Sequence, residues 1–441
     1  MAMAIAHRTR ASYSSFVLLA LATVTATVTS PAPATAQVTA ITGGKVYPVS
    51  GPPIENATVL LRNGKITAVG ANVEIPTGAT RVDASGKWVT PGLFNAATQL
   101  GLVEVGQVSD TRQATARGRG DGINAAFTAW VGLNPLSVLF APARNEGVTT
   151  VIVAPGGGMI SGQAAAIDLV DGSVTDMLRK APVAMVGQIS QPNAANLSSR
   201  GELVVRLREL IEDTRVYMRR RADYDRADTR PFVASRIDLE AMIPVVEGRL
   251  PLVLDSDKAS DIEVALGLAK EYRLKLIIAG GAEAWMVAEK LAAAKVPVLT
   301  GALNNIPGSF SSLGQRQENA AILRRAGVEV VLIGNGNDPE AFNVRNIKQD
   351  AGNAVAYGLS WDEALRAVTL APAQVFGVDA EVGALKPGMA ANVVVWSGDP
   401  FEFTTRAEHV FVRGQLIESP SRQDLLVERY KKLPPSFQAK P

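Results

Sequence analysis

Hydrolysis at a carbonyl needs a nucleophile and a group that activates it, and this chain is poor in both. Its only histidines are His7 and His409, and it has no cysteine. One remote imidazole cannot build a site of two or three histidines, and it cannot complete a Ser-His-Asp triad. Without thiols there is neither a thiolate nucleophile nor a thiolate metal ligand, and no Ser-x-x-Lys run stands out. A Gly-rich run, Pro155–Gly162 (PGGGMISG), follows an apolar stretch. Such a loop can cradle phosphate through backbone N–H groups. Gln163–Val170 reads as a strand, however, and the glycine spacing is not that of a dinucleotide loop. A tight loop, with Gly156, Gly157 and Gly158 as pocket candidates, is the favoured reading.

The elements around these residues alternate. Two β-prone runs, 57–62 and 65–70, flank Asn63-Gly64 and predict a hairpin. Apolar runs at 150–154, 183–186, 252–254, 276–278, 296–299 and 330–333 read as buried parallel strands. Helical patterns separate several of them, at 261–272, 284–294 and 318–326, and Ser360 with Glu363 makes a capping signal for a further helix. Alternation over this length predicts an α/β fold of the (β/α)₈ barrel kind. β texture returns at Val393–Val395 and His409–Val412, so the two chain ends can share one small sheet domain. The mixed charges of residues 202–230, among them Arg206, Arg208, Glu209 and Asp213, predict an ion-paired solvated helix rather than an anion site.

Four segments carry a resemblance. Val82–Phe94 (VDASGKWVTPGLF) resembles the entry to the barrel of the amidohydrolase superfamily. Ala371–Gly377 (APAQVFG) and Gly383–Gly388 (GALKPG) resemble its exit, and Asn392–Pro400 (NVVVWSGDP) its returning strand. The likeness is closest to imidazolonepropionase-like and dihydroorotase-like members. It implies a TIM-like barrel at 91–372, a composite β-sandwich from 37–90 and 373–420, and a C-terminal tail at 421–441.

The resemblance also implies a site for one or two divalent metals that activate a water at the C-terminal mouth of the barrel. At the implied ligand positions stand Ala97 and Gln99 in place of a His-x-His pair. Asp168 stands in place of a lysine, Asp255 and Gly280 in place of histidines, and Asn335 (or Gly336, one register on) in place of the last aspartate. Asp257, Glu283 and Asn337 lie nearby. The expectation is a catalytically silent relative with no cofactor. It would bind a small amide-, peptide- or ring-containing ligand, or associate as a homo-oligomer or with an active homologue. The alternative is a remodelled carboxylate site using Asp168 and Asp255, with an atypical divalent metal or none.

Composition narrows the setting. The chain is 47% hydrophobic and 20% charged. Basic residues at His7, Arg8 and Arg10, the apolar run 16–22 and the small residues Ala34 and Ala36 predict a signal peptide cleaved after Ala36. Export to the periplasm follows, with no membrane anchor left after cleavage. Cleavage removes Arg8 and Arg10 and leaves a mature chain with equal numbers of acidic and basic residues, so nucleic acid is not an expected partner. N-terminal sequencing of exported protein is expected to begin at Gln37. A membrane-bound species that retains residues 1–36 would mean an anchor instead.

Overall fold

The computed structural model describes residues 38–116, 122–189, 199–302, 307, 309–334, 341–418 and 420–431. The signal peptide expected at residues 1–36 lies outside the described residues. The first part of the chain forms β1 (Val38–Val46), β2 (Ile54–Arg62), β3 (Lys65–Gly70), β4 (Thr80–Asp83) and β5 (Trp88–Pro91). Asn63 and Gly64 both have positive φ, which closes the β2–β3 hairpin.

The barrel strands are β6 (Leu93–Thr98), β7 (Val148–Val153), β8 (Ile160–Asp168), β9 (Leu178–Gln188), β10 (Leu252–Ser256), β11 (Leu276–Gly280), β12 (Val298–Thr300) and β13 (Val330–Leu332). They pair in chain order as an eight-stranded sheet that closes on itself almost completely. Residues alternate between faces, as β geometry requires. Phe94, Ala96, Ile152, Val253, Ile277, Leu299 and Val331 fill the interior. Leu252, Leu254, Leu276, Ile278 and Val330 face the surrounding helices. Those helices include Arg200–Arg219, Ala259–Tyr272, Asn319–Arg325 and Ile347–Ala356. The charged stretch forms the first of them, with ion pairs such as Arg206–Glu209 and Arg208–Glu271 on its outer side.

One strand departs from the expected parallel pattern. β8 runs antiparallel to both β7 and β9. The Gly-rich run is therefore a hairpin turn at the mouth, with Gly157 and Gly158 at positive φ. The Gly156 N–H donates to Ala114 O at 2.9 Å, so it is not free to cradle phosphate.

The chain returns through β14 (Val393–Trp396), β15 (Ala407–Val412) and β16 (Gln415–Leu416). β14 pairs with β5, which joins both chain ends in one eight-stranded sheet. Ile41, Val59, Leu61, Val89, Val393 and Phe411 form its core. The barrel extends past Pro372, since Ala373, Phe376, Val378 and Val382 pack into the barrel interior. The C-terminal tail contains an exposed helix, Arg422–Tyr430.

The barrel and the composite sheet are locked together at the foot of the barrel. Asp168 is fully buried. Its carboxylate accepts from Thr150 Oγ1 at 2.9 Å, Asn392 Nδ2 at 3.1 Å and Arg413 Nε at 2.6 Å. Arg179 makes a two-pronged pair with the same carboxylate. Arg413 follows β15, so the pair spans both domains. Nearby, Gly92 lets the chain pass from β5 into β6, because a Cβ there would sit 2.1 Å from Thr149 Oγ1. Removing one member of a buried, hydrogen-bonded ion cluster strands the others. Asp168→Ala is therefore expected to cost about 3–5 kcal/mol in urea unfolding at pH 7. Glu55→Ala, which breaks only the exposed pair with Lys45, should leave the curve in place.

Candidate functional site

The C-terminal ends of the barrel strands surround a cavity of about 300 Å³. Most of its wall is apolar: Ile152, Ala164, Val186, Val253, Leu299 and Ile333. Phe376 closes it from below, carried there by the chain segment that follows the helix Leu370–Val375. Five polar side chains interrupt this wall, namely Thr98, whose hydroxyl donates to Ile152 O, and Gln99, Ser161, Gln188 and Asp255.

Strand parity explains why two of these, Asp255 and Gln188, face inward. On β10, Val253 lies in the barrel interior and Asp255 is two residues on, at the mouth. On β9, Ala184 is followed at the same spacing by Val186 and Gln188. β6 loses regular register with β7 between Asn95 and Thr98, and the Ala97 N–H turns to Asn95 Oδ1. That irregular end brings Ala97 and Gln99 together into the rim. Asp255 and Gln188 are register partners across the parallel β9–β10 pair. Their side chains therefore stand on the same face, about 4.8 Å apart at the backbone.

Their bonding is unequal. Gln188 Nε2 donates to Gly158 O at 2.8 Å, and its amide oxygen has no hydrogen-bond partner among the described residues. Among the described residues the Asp255 carboxylate accepts no hydrogen bond and forms no ion pair. Burial pushes its carboxyl up to about 7, and the negative charge of Asp257 adds to the rise. Asp255 is also the only ionisable side chain of the described cavity lining.

The other sequence-derived candidates are dispersed. Asp168 is corrected: because β8 runs antiparallel, its last residue lies at the foot of the barrel and not at the mouth. Asp168 and Asp255 therefore sit at opposite ends, and a hydrolytic site built from both carboxylates is ruled out. Gly280 is also corrected. It follows Ala279 on β11 with φ +80°, and Ala279 is the residue that lines the cavity. Asp257 does not line the cavity and accepts from the Ala282 N–H at 3.3 Å. Glu283 caps loops, accepting from the Ala259 and Gly314 N–H groups, both at 3.0 Å. Gly156 and Gly157 line the cavity, and Gly158 contributes the carbonyl that holds Gln188. Asn335, Gly336 and Asn337 lie outside the described residues. His409 is on β15 opposite Val395, in the composite sheet. Reading by motif missed Gln188, Ser161 and Phe376. The period-two spacing Ala184, Val186, Gln188 is the signal that points to the first of these.

Among the described residues the cavity lining does not fit a transition metal. One carboxyl with a raised pKa, two neutral carboxamides and two hydroxyls offer no imidazole or thiolate. No group of three His, Cys, Asp or Glu among the described residues is placed to share an ion.

Comparison with known proteins gives consistent relationships. Residues 263–417 match the amidohydrolase family. The chain is 25% identical over 379 residues to an imidazolonepropionase of Acidiphilium cryptum, covering 79% of this chain and 89% of that protein. It is 23% identical over 392 residues to an amidohydrolase of Hapsidospora irregularis, covering 81% of this chain but only 39% of that longer protein. Among solved structures, an amidohydrolase from Thermotoga maritima superposes with a TM-score of 0.78 at 25% identity, over 86% of this chain and all of that one.

A carboxyl whose folded-state pKa lies above its unfolded value binds more protons when folded. Stability then falls as pH rises from about 4 through about 7. Asp255→Asn removes that loss. The variant is expected to be more stable than the parent above pH 7, by roughly 1–3 kcal/mol once solvent at the mouth is allowed for. The gap should shrink toward pH 4, as read by thermal unfolding across pH.

Proposed function

We propose that this chain, which belongs to the amidohydrolase superfamily, is an exported and catalytically silent relative that keeps the barrel-mouth cavity as a small-molecule binding site. It carries the scaffold of a hydrolase of carbon–nitrogen bonds. One observation carries the reading. The cavity where this architecture does its chemistry is lined by Ala97, Gln99, Gln188, Ala279 and a single unpaired carboxyl, Asp255. Polarising a carbonyl or lowering the pKa of water needs a Lewis acid held by several charged or imidazole ligands, and these side chains supply neither. No hydrolytic step is therefore assigned to them.

What remains suits binding. The cavity is concave, mostly apolar and carries a few convergent polar groups. A ring or short amide would be covered by Ile152, Val253, Leu299 and Phe376 while its polar end met Gln99, Gln188 and Asp255. The relatives' names indicate the general scale of such a ligand, an imidazolone in the Acidiphilium protein. A second role, as a silent subunit beside an active homologue, draws on the exposed side chains of Met286, Phe310 and Leu313 after β11 and β12.

The test is metal content with turnover. Mature protein dialysed against Zn²⁺ or Mn²⁺ and then desalted is expected to hold well under one ion per chain. It is expected to hydrolyse hydantoins, dipeptides and imidazolones no faster than buffer. A stoichiometric ion together with turnover would overturn the silent reading.

A further inference from the structure

Buried carboxylates in this barrel are held by partners of their own. Asp168 is held by Arg179 and Arg413, Asp213 by Arg230 and the Val233 N–H, and Asp261 by Arg200. Asp238 binds Ser235 and the Ala126 N–H, and Asp350 accepts from the Ala302 N–H. Asp255, half-buried at the barrel mouth, has no such partner among the described residues, and it is the one that faces the cavity. A carboxyl on an apolar wall without an internal partner is costly unless something brought from outside completes it.

The groups beside Asp255 include oxygens that have no hydrogen-bond partner among the described residues. Gln188, only 9% exposed, donates from its amide nitrogen to Gly158 O, and its amide oxygen has no hydrogen-bond partner among the described residues. It stands directly across the ladder from Asp255. Ser161, 4% exposed, has no hydrogen-bond partner for its hydroxyl among the described residues and lines the same space. No lysine or arginine lines the described cavity. An acceptor set of this kind around one carboxylate is complementary to a group with several N–H donors and a positive charge. The remaining wall is apolar, and the volume, about 300 Å³, has room for roughly ten water-sized groups.

We propose that the cavity takes a compact, largely apolar organic amine whose ammonium group hydrogen-bonds to the Asp255 carboxylate and the Gln188 amide oxygen. This rests on the binding-site reading above and narrows it to one ligand class. The ammonium reaches both oxygens at once because they rise from adjacent strands on one face. The hydrocarbon part fills the space above Phe376. Asp257, just beyond the end of β10, is the other charge that acts on Asp255, and it does not line the cavity. From β9 and β11 the facing side chains are Gln188 and Ala279, both neutral.

The experiment compares benzylammonium with benzyl alcohol, its neutral counterpart, by calorimetry on the full mature chain. Benzylammonium is expected to bind at pH 8 at least tenfold more tightly than the alcohol. Its affinity is expected to fall about tenfold between pH 8 and pH 6, as a carboxyl titrating near 7 takes up its proton. Asp255→Asn should remove at least tenfold of the amine affinity and leave the alcohol unaffected. The thermal unfolding of that variant shows independently that it is folded. Equal binding of the two probes, or amine affinity unchanged in Asp255→Asn, would overturn the amine assignment while leaving a binding cavity. Absence of binding by either probe at millimolar concentration would overturn both.

Discussion

The carboxylate of Asp168 is the constraint on which the arrangement of this protein depends. It is fully buried and held by two arginines, a threonine and an asparagine. Those groups come from β7, β9 and the two sides of the returning sheet. A charge in that position is tolerable only while every partner stays in place. The cluster therefore fixes β8 against its neighbours and fixes both chain ends under the barrel. Its location explains a division of labour. The foot of the barrel carries the electrostatic lock, and the mouth, free of that burden, carries the cavity.

The reversal of β8 links these two ends. Running antiparallel, it places the glycine turn at the mouth, where Gly156 and Gly157 line the cavity and Gly158 O holds Gln188. The same strand delivers Asp168 to the foot. The other strands supply the rest of the cavity: Ala97 comes from β6 and Gln99 from just beyond it, Ile152 from β7, Gln188 from β9, Asp255 from β10, Ala279 from β11 and Leu299 from β12. Among the described residues the lining holds one unpaired carboxyl, neutral amides and apolar walls, an environment suited to a small polar-tipped guest.

Much of the fold was legible in the sequence because local rules and tertiary structure agree. Asn63-Gly64 gave the hairpin, the apolar runs gave the buried strands, and the motifs at both ends placed the composite sheet. Strand direction was not legible. The small residues of β8, Ala164 to Ala166, fit either direction equally well, so Asp168 was assigned to the wrong end. The site was partly legible. Asp255 was found by motif and also obeys interior parity with Val253. Gly280 was placed one residue from the position that lines the cavity, and in a strand a shift of one changes the face. Gln188 was missed because no motif marks it; only the spacing from Ala184 and Val186 does.

The central claim is that an unpaired Asp255, and not a metal, defines the barrel mouth. The most direct measurement is carbon-detected NMR of labelled aspartate side chains, with the Asp255 signal assigned from Asp255→Asn. The expected result is a carboxyl that titrates near 7, moves to lower pKa when an organic ammonium is added, and ignores Zn²⁺. A signal titrating in the ordinary carboxylate range, or one that responds to Zn²⁺ and not to the ammonium, would contradict it.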